Sequence, residues 1–284
     1  MTQRVDDSPL SQLVQRVDAV ADGAPAADTI PVGFPSVDRV LGGGLRRGDL
    51  VALGGDVASG KTSLALAFAL RAAQRGRGVL FLTGEATVER TLERALVLEG
   101  RARVDDVRRG SLDDAARAGL GAAALRLREG APAIERIPRS GVDTLSELVT
   151  STPGVELLVV DALQSLATGR GGREEELAAA CRRLKRLALD LDVAVLATMH
   201  LPRLDRGRKD LRPQLDDFGA LGAPAQEADV VLGLYREEMY VTAQGVEGAT
   251  ELSILKNRTG GTGYIDLFFY KQWLRFEDML EPGV

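Results

Sequence analysis

The sequence predicts an α/β fold: a mostly parallel central sheet flanked by helices, closing in a C-terminal β-hairpin. From Ile30 onward, short apolar runs alternate with longer helical patterns, as in sheets whose parallel strands are joined through covering helices. One run passes directly into a glycine-rich loop and then a helix, over residues 51–73. Near the end, two extended segments flank the turn-rich stretch Asn257-Arg-Thr-Gly-Gly-Thr-Gly263.

In chain order, the first element is a leader. Leu10, Leu13, Val14, Val17 and Val20 recur at helical spacing between Pro9 and Ala21, giving a short amphipathic helix. Asp22-Gly-Ala-Pro-Ala-Ala-Asp28 then reads as a linker. Residues 1–29 are therefore a leader and residues 30–284 one larger domain, with the helix packing either on that domain or on a neighbouring subunit. The clearest strands are Leu50 to Leu53, Val79 to Thr83, Leu157 to Val160, Val193 to Thr198 and Val230 to Leu234. Glu251 to Leu255 and Tyr264 to Phe269 form the hairpin. Leu177, Cys181, Leu184, Ala188 and Leu191 make one apolar stripe, so the cationic run 182–186 lies on a core-packing helix with a solvated face.

Bulk composition sets limits. A net charge of -5 excludes a uniformly basic surface, so any nucleic-acid contact must come from a local patch. The single cysteine, Cys181, permits neither a disulfide framework nor a cysteine-rich zinc site and fits a reducing, cytoplasmic setting. No apolar run approaches membrane-spanning length, and no membrane association is expected.

The strongest chemical signal is Gly55-Asp56-Val57-Ala58-Ser59-Gly60-Lys61-Thr62, which matches G-x-x-x-x-G-K-[ST] between a strand and the helix beginning at Ser63. Its glycines let backbone N–H groups curl around phosphate oxygens, and the helix N-terminus adds positive potential. Lys61 would reach the β/γ-phosphates of ATP, and Thr62 would offer its hydroxyl to Mg²⁺. Val79-Leu-Phe-Leu-Thr-Gly-Glu85 ends an apolar strand in a carboxylate: Glu85 either polarises the attacking water or is a solvated strand-end residue. Leu157-Leu-Val-Val-Asp161 delivers a second carboxylate to the carboxyl edge of the sheet, where Asp161 would hold Mg²⁺ through water. The single histidine, His200, ends the next strand and is either structural or a γ-phosphate sensor.

Two loops are basic. Arg203, Arg206, Arg208, Lys209 and Arg212 lie in the loop beyond His200, and Arg170 and Arg173 in the glycine-rich loop after Asp161. They are candidate contacts for the phosphates of single-stranded DNA, against the alternative of solvated charge runs. Neither loop carries interleaved aromatics, so base stacking is not expected.

Together these residues resemble the RecA-like C-terminal ATPase domain of DnaB-type replicative helicases, from about Ile30 to Asp278. The resemblance includes Ile30-Pro-Val-Gly-Phe-Pro-Ser-Val-Asp38, Leu45-Arg-Arg-Gly-Asp49, Val160-Asp-Ala-Leu-Gln164, Gln226-Glu-Ala-Asp229, Tyr235-Arg-Glu-Glu238 and Lys256-Asn-Arg-Thr-Gly260. It implies a P-loop ATP hydrolase, ring-shaped and hexameric, that moves on single-stranded DNA in DNA replication. It places Glu85 at the catalytic glutamate and His200 at a sensor position where the family has glutamine. It further assigns Lys256 and Arg258 to the ATP held by an adjacent subunit. Only about thirty residues precede the match, where the family carries a helical collar that meets primase; primase binding is doubtful on that ground. Leu41-Gly-Gly-Gly-Leu45 also resembles the KaiC and RadA branch of these ATPases, which implies the alternative of a regulatory ATPase that assembles or remodels partners without unwinding DNA.

Overall fold

The computed structural model describes residues 8–24, 26–240 and 245–279. In α1 (Pro9–Ala21), the Ser8 hydroxyl accepts the Ser11 N–H at 3.2 Å and proline occupies the first helical turn, both favourable start signals. Its apolar stripe stays 46–68% exposed, and among the described residues none of α1 is buried. The described residues of its own chain therefore leave that stripe uncovered.

The main elements then follow in order: β1 (Thr29–Ile30), α2 (Pro35–Val40), β2 (Leu45–Arg46), β3 (Leu50–Gly55), α3 (Lys61–Gln74), β4 (Gly78–Thr83) and α4 (Val88–Gly100). Next come α5 (Val104–Arg109), α6 (Asp114–Gly130), β5 (Ala133–Arg136), α7 (Leu145–Ser151), β6 (Val155–Asp161), α8 (Arg173–Leu191) and β7 (Ala194–His200). The chain closes with α9 (Ala223–Glu227), β8 (Val230–Arg236), β9 (Ala249–Asn257), β10 (Gly263–Tyr270) and β11 (Arg275–Asp278).

Nine strands make one sheet in the order β11-β10-β9-β8-β3-β7-β6-β4-β5. The strands from β8 to β5 run parallel, while β9, β10 and β11 add an antiparallel extension beyond β8. The α/β class, the parallel core and the terminal hairpin are thus as the sequence predicts. Two strands in this sheet escape that reading. β5 lies at the edge with none of its four residues buried, and β11 contributes a single buried side chain, Phe276. The expected hairpin, β9 and β10, is consequently the inner two strands of a three-stranded extension.

Strand alternation divides the core between the two faces of the sheet. Val51, Leu53, Leu157 and Val159 pack with α3 on one side; Leu50, Ala52, Leu158 and Val160 pack with α8 on the other. Helix α3 is buried almost all round because β11 at the far end of the sheet and the helices α4 and α6 pack on it in addition to the parallel strands. Each fully buried residue of this kind, such as Phe68 or Leu64, contributes about 1.5–3 kcal/mol by leaving water. In α8, Leu177, Cys181, Leu184 and Ala188 are buried while Arg182, Arg183 and Arg186 are exposed, as the stripe predicts. Lys185 departs from the expected solvated face: its ammonium reaches Asp229 at 2.6 Å and the Gly48 carbonyl at 2.8 Å.

Candidate functional site

The parallel strands all end at one edge, where open α/β sheets bind ligands. There β3 runs into the phosphate-loop motif and α3 leaves it. Gly60 has φ +101°, a left-handed conformation that glycine adopts readily, and an added Cβ would come 2.9 Å from the Phe276 ring. Lys61 is the first residue of α3 and is buried; its ammonium donates to the carbonyls of Gly55 at 3.0 Å and Asp56 at 2.8 Å. Burial holds its pKa below the usual lysine range, against the pull of Asp161 and Glu85.

Strand β6 delivers Asp161 beside the loop. The Thr62 hydroxyl donates to Asp161 Oδ1 at 3.1 Å and the Thr198 hydroxyl donates to the same oxygen at 2.6 Å. Burial raises the Asp161 pKa above the normal carboxylate value, the two hydroxyls oppose it, and neighbouring Glu85 adds to the rise. An anion so placed gains from a cation. Hard oxygen donors from Thr62 and Asp161, open to phosphate and water, suit Mg²⁺. Among the described residues, no group of three or more histidine, cysteine or acidic side chains could hold a metal ion, so phosphate and water oxygens would have to complete such a shell.

Glu85 follows β4, and His200 ends β7 opposite Gly55 in the parallel register. The His200 Nε2–H donates to Glu85 Oε1 at 2.6 Å, and the Gln164 side chain accepts the His200 backbone N–H at 3.3 Å. Lys61, Thr62, Glu85, Asp161 and His200 therefore converge on one cleft of about 470 Å³. Arg94, Thr198, Arg236 and Lys271 also line it, and sequence reasoning missed all four. Thr198 had a signal, being a hydroxyl inside an apolar strand near its carboxyl end. Arg236 and Lys271 had none in their own segments: Arg236 reaches the cleft because it ends β8, paired beside β3 and the phosphate loop, and Lys271 because it follows β10 of the antiparallel extension. There Arg236 donates to the Ala58 carbonyl at 3.1 Å and lies over the Phe269 ring, 4.4 Å from its centroid.

Lys256 and Arg258 lie elsewhere. Val231 is opposite Lys256 at the start of β8, whereas Leu234, farther along the same strand, is opposite Gly55 of the phosphate loop. The pair thus sits at the amino edge, with Lys256 roughly 10 Å along the strand from its own loop at about 3.3 Å per residue, and Arg258 farther still. Lys256 donates to the Ala225 and Ala228 carbonyls at 2.8 and 2.6 Å, closing the end of α9. Arg258 stands 3.2 Å from Asp229 with its side chain 53% exposed.

The basic residues divide further. Arg170 is exposed in its loop, but Arg173 begins α8 rather than lying in that loop, and it is also exposed. Beyond β7, Arg203 faces Glu174 at 3.5 Å, and Arg208 donates to both oxygens of the nearly buried Asp217 at 2.8 and 2.7 Å. Arg206 turns to the phosphate loop and donates to Asp56 at 2.6 Å. Lys209 is exposed. No helix among the described residues is long and apolar enough to cross a membrane.

Comparison with known proteins places this geometry among relatives. The family described as "DnaB-like helicase C terminal domain" matches residues 29–278. The chain is 30% identical over 257 residues to the replicative DNA helicase DnaB of Geobacillus stearothermophilus, covering 88% of this chain and 56% of that protein. It is 29% identical to the replicative DNA helicase DnaB of Leifsonia xyli subsp. xyli, covering 98% of this chain and 63% of that one. The chain thus spans little more than half the length of these curated relatives. Among solved structures, a DnaB-like replicative helicase studied with its interactions with primase superposes with a TM-score of 0.84 at 26% identity, covering 97% of this chain and 68% of that one.

Proposed function

The chain belongs to the DnaB-like helicase C-terminal domain family, and on that premise we propose that it is an ATP-hydrolysing motor that works in a ring and moves on single-stranded DNA. The observation that carries this reading is the division of the machinery between the two edges of the sheet. Lys61, Thr62, Glu85, Asp161 and His200 share the cleft at one edge. Lys256 and Arg258 stand at the other, away from that cleft, which supports service to a nucleotide held by another copy rather than by their own.

In this reading the loop from Gly55 to Ser63 wraps the phosphates of ATP, and Lys61 turns from the loop carbonyls to the β/γ-phosphate oxygens. Thr62 directly and Asp161 through water would hold a Mg²⁺ ion, whose positive charge offsets that of the phosphates when it is bound. Glu85 orients the attacking water and accepts its proton. Through its hydrogen bond to Glu85, His200 links the base to the loop after β7. Arg258 of the next subunit supplies charge to the transition state, so hydrolysis depends on how two subunits stand. The exposed stripe on α1 supports a further part of the proposal, that this helix packs on a neighbouring subunit.

Arg170, Arg173, Arg203, Arg206, Arg208 and Lys209 are the proposed DNA contacts, with Arg170, Arg173 and Lys209 the most available. Ion pairing of Arg203, Arg206 and Arg208 within the chain favours a second reading, an ATPase that remodels partners without DNA. Strand displacement on a forked duplex, with ATP hydrolysis measured beside it, separates them. The motor reading expects displacement and hydrolysis stimulated by single-stranded DNA, both reduced when Arg170, Arg173 and Lys209 are changed together to alanine. Hydrolysis indifferent to DNA, with no displacement, favours the second.

A further inference from the structure

The phosphate loop carries an acid of its own. Asp56 is the first variable residue after Gly55, in a loop whose proposed ligand is polyanionic. Its side chain is only 8% exposed, so water screens it poorly. Three donors surround it: the Val57 N–H at 2.7 Å, the Tyr240 hydroxyl at 3.0 Å and the Arg206 guanidinium at 2.6 Å. Of the three, Arg206 alone brings a full positive charge. It reaches back from the loop after β7, whereas Tyr240 lies past the short turn that follows β8 and stacks on Tyr235, ring centroids 5.2 Å apart.

We propose that Arg206 is a positioning residue of the nucleotide site: it neutralises and restrains Asp56, making the phosphate loop receptive to a nucleoside triphosphate. Arg206 does not touch the nucleotide itself. Exposed ion pairs contribute little in general, but a carboxylate buried beside an anion-binding loop places the pair where its loss is felt. Arg206 thereby has a task beyond the DNA contact proposed for it together with its neighbours. The inference rests on the nucleotide reading of the cleft.

The test is a double-mutant cycle on the full chain, read by binding of a fluorescent ATP analogue and by the KM and kcat of ATP hydrolysis. Arg206→Ala is expected to weaken binding and raise KM about tenfold, the order expected for an uncompensated unit charge near an anionic ligand, while kcat at saturation changes little. Arg206→Lys should retain most of the affinity. In an Asp56→Asn background, where there is no charge to cancel, Arg206→Ala should change the affinity less than twofold. Equal losses from Arg206→Ala in both backgrounds, or none in either, would overturn the proposal. If the unaltered chain fails to bind the analogue, the nucleotide reading falls first and the role of Arg206 with it. If the chain binds and only the cycle fails, that reading stands and this inference alone is lost.

Discussion

Asp161 shows how a single residue's surroundings become chemistry. Burial discourages its charge, yet two hydroxyls donate to the same carboxylate oxygen, and the cleft opens beside it. Glu85, 46% exposed and bonded to His200, is placed instead to reach water. Glu85→Gln is therefore expected to lower kcat about a hundredfold or more while nucleotide binding stays within a few-fold, checked by steady-state hydrolysis beside equilibrium binding. Residues of this kind were legible in the sequence because each ends an apolar strand or lies in a spaced motif. The partners that hold them were not. The hydroxyl of Thr198 stands out in its apolar strand, but nothing there names Asp161, 37 residues away, as its acceptor, and nothing adjacent marks Arg206 as a partner of a loop 150 residues earlier.

At the scale of elements, the amino edge of the sheet holds a charge cluster that orders strands and helix together. Asp229, 5% exposed, accepts from the Leu50 N–H at 2.9 Å and from Lys185 at 2.6 Å, joining β3, β8 and α8. Asp229→Ala leaves an ammonium half-buried without its closest carboxylate, and urea denaturation should show a loss of about 3 kcal/mol. Asp49 stands beside it. Burial, reinforced by the Asp229 charge, pushes the Asp49 pKa from 3.8 up to about 6. Between those two values the folded chain keeps a proton that the unfolded chain has released, so Asp49 makes stability fall as pH rises through that window. Asp49→Asn should remove that part of the pH dependence and leave the protein more stable at pH 7 than the unaltered chain, as thermal unfolding across pH 4–8 would reveal. A third element-scale expectation concerns β11. Its Phe276 is fully buried 4.4 Å from the Phe269 ring and against Gly60, so Phe276→Ala should cost about 3–5 kcal/mol. The inner parallel strands were legible as continuous apolar runs because both faces of the sheet are covered there, whereas the parallel edge strand β5, with no buried residue, was not. β11 offers one apolar residue in four, and its strand character comes from pairing with β10, a tertiary effect that local pattern does not carry.

For the whole molecule, the proposal is a ring whose sites are shared between neighbours. The amphipathic pattern of α1 was readable from spacing, but whether its stripe finds a partner in its own chain was not; among the described residues it stays exposed. If α1 holds subunits together, Leu13→Asp with Val17→Asp should shift sedimentation toward smaller species while the fold, followed by circular dichroism, is kept. The central claim is that one subunit's Arg258 serves the cleft of another. Mixing Glu85→Gln subunits with Arg258→Ala subunits tests it most directly. Each variant alone is expected to be nearly inactive. Random mixing in equal amounts leaves about one site in four with both its glutamate and its neighbour's arginine intact, so up to a quarter of normal hydrolysis should return. Hydrolysis that stays at the level of the separate variants at every mixing ratio, in rings shown to contain both, would contradict the shared site.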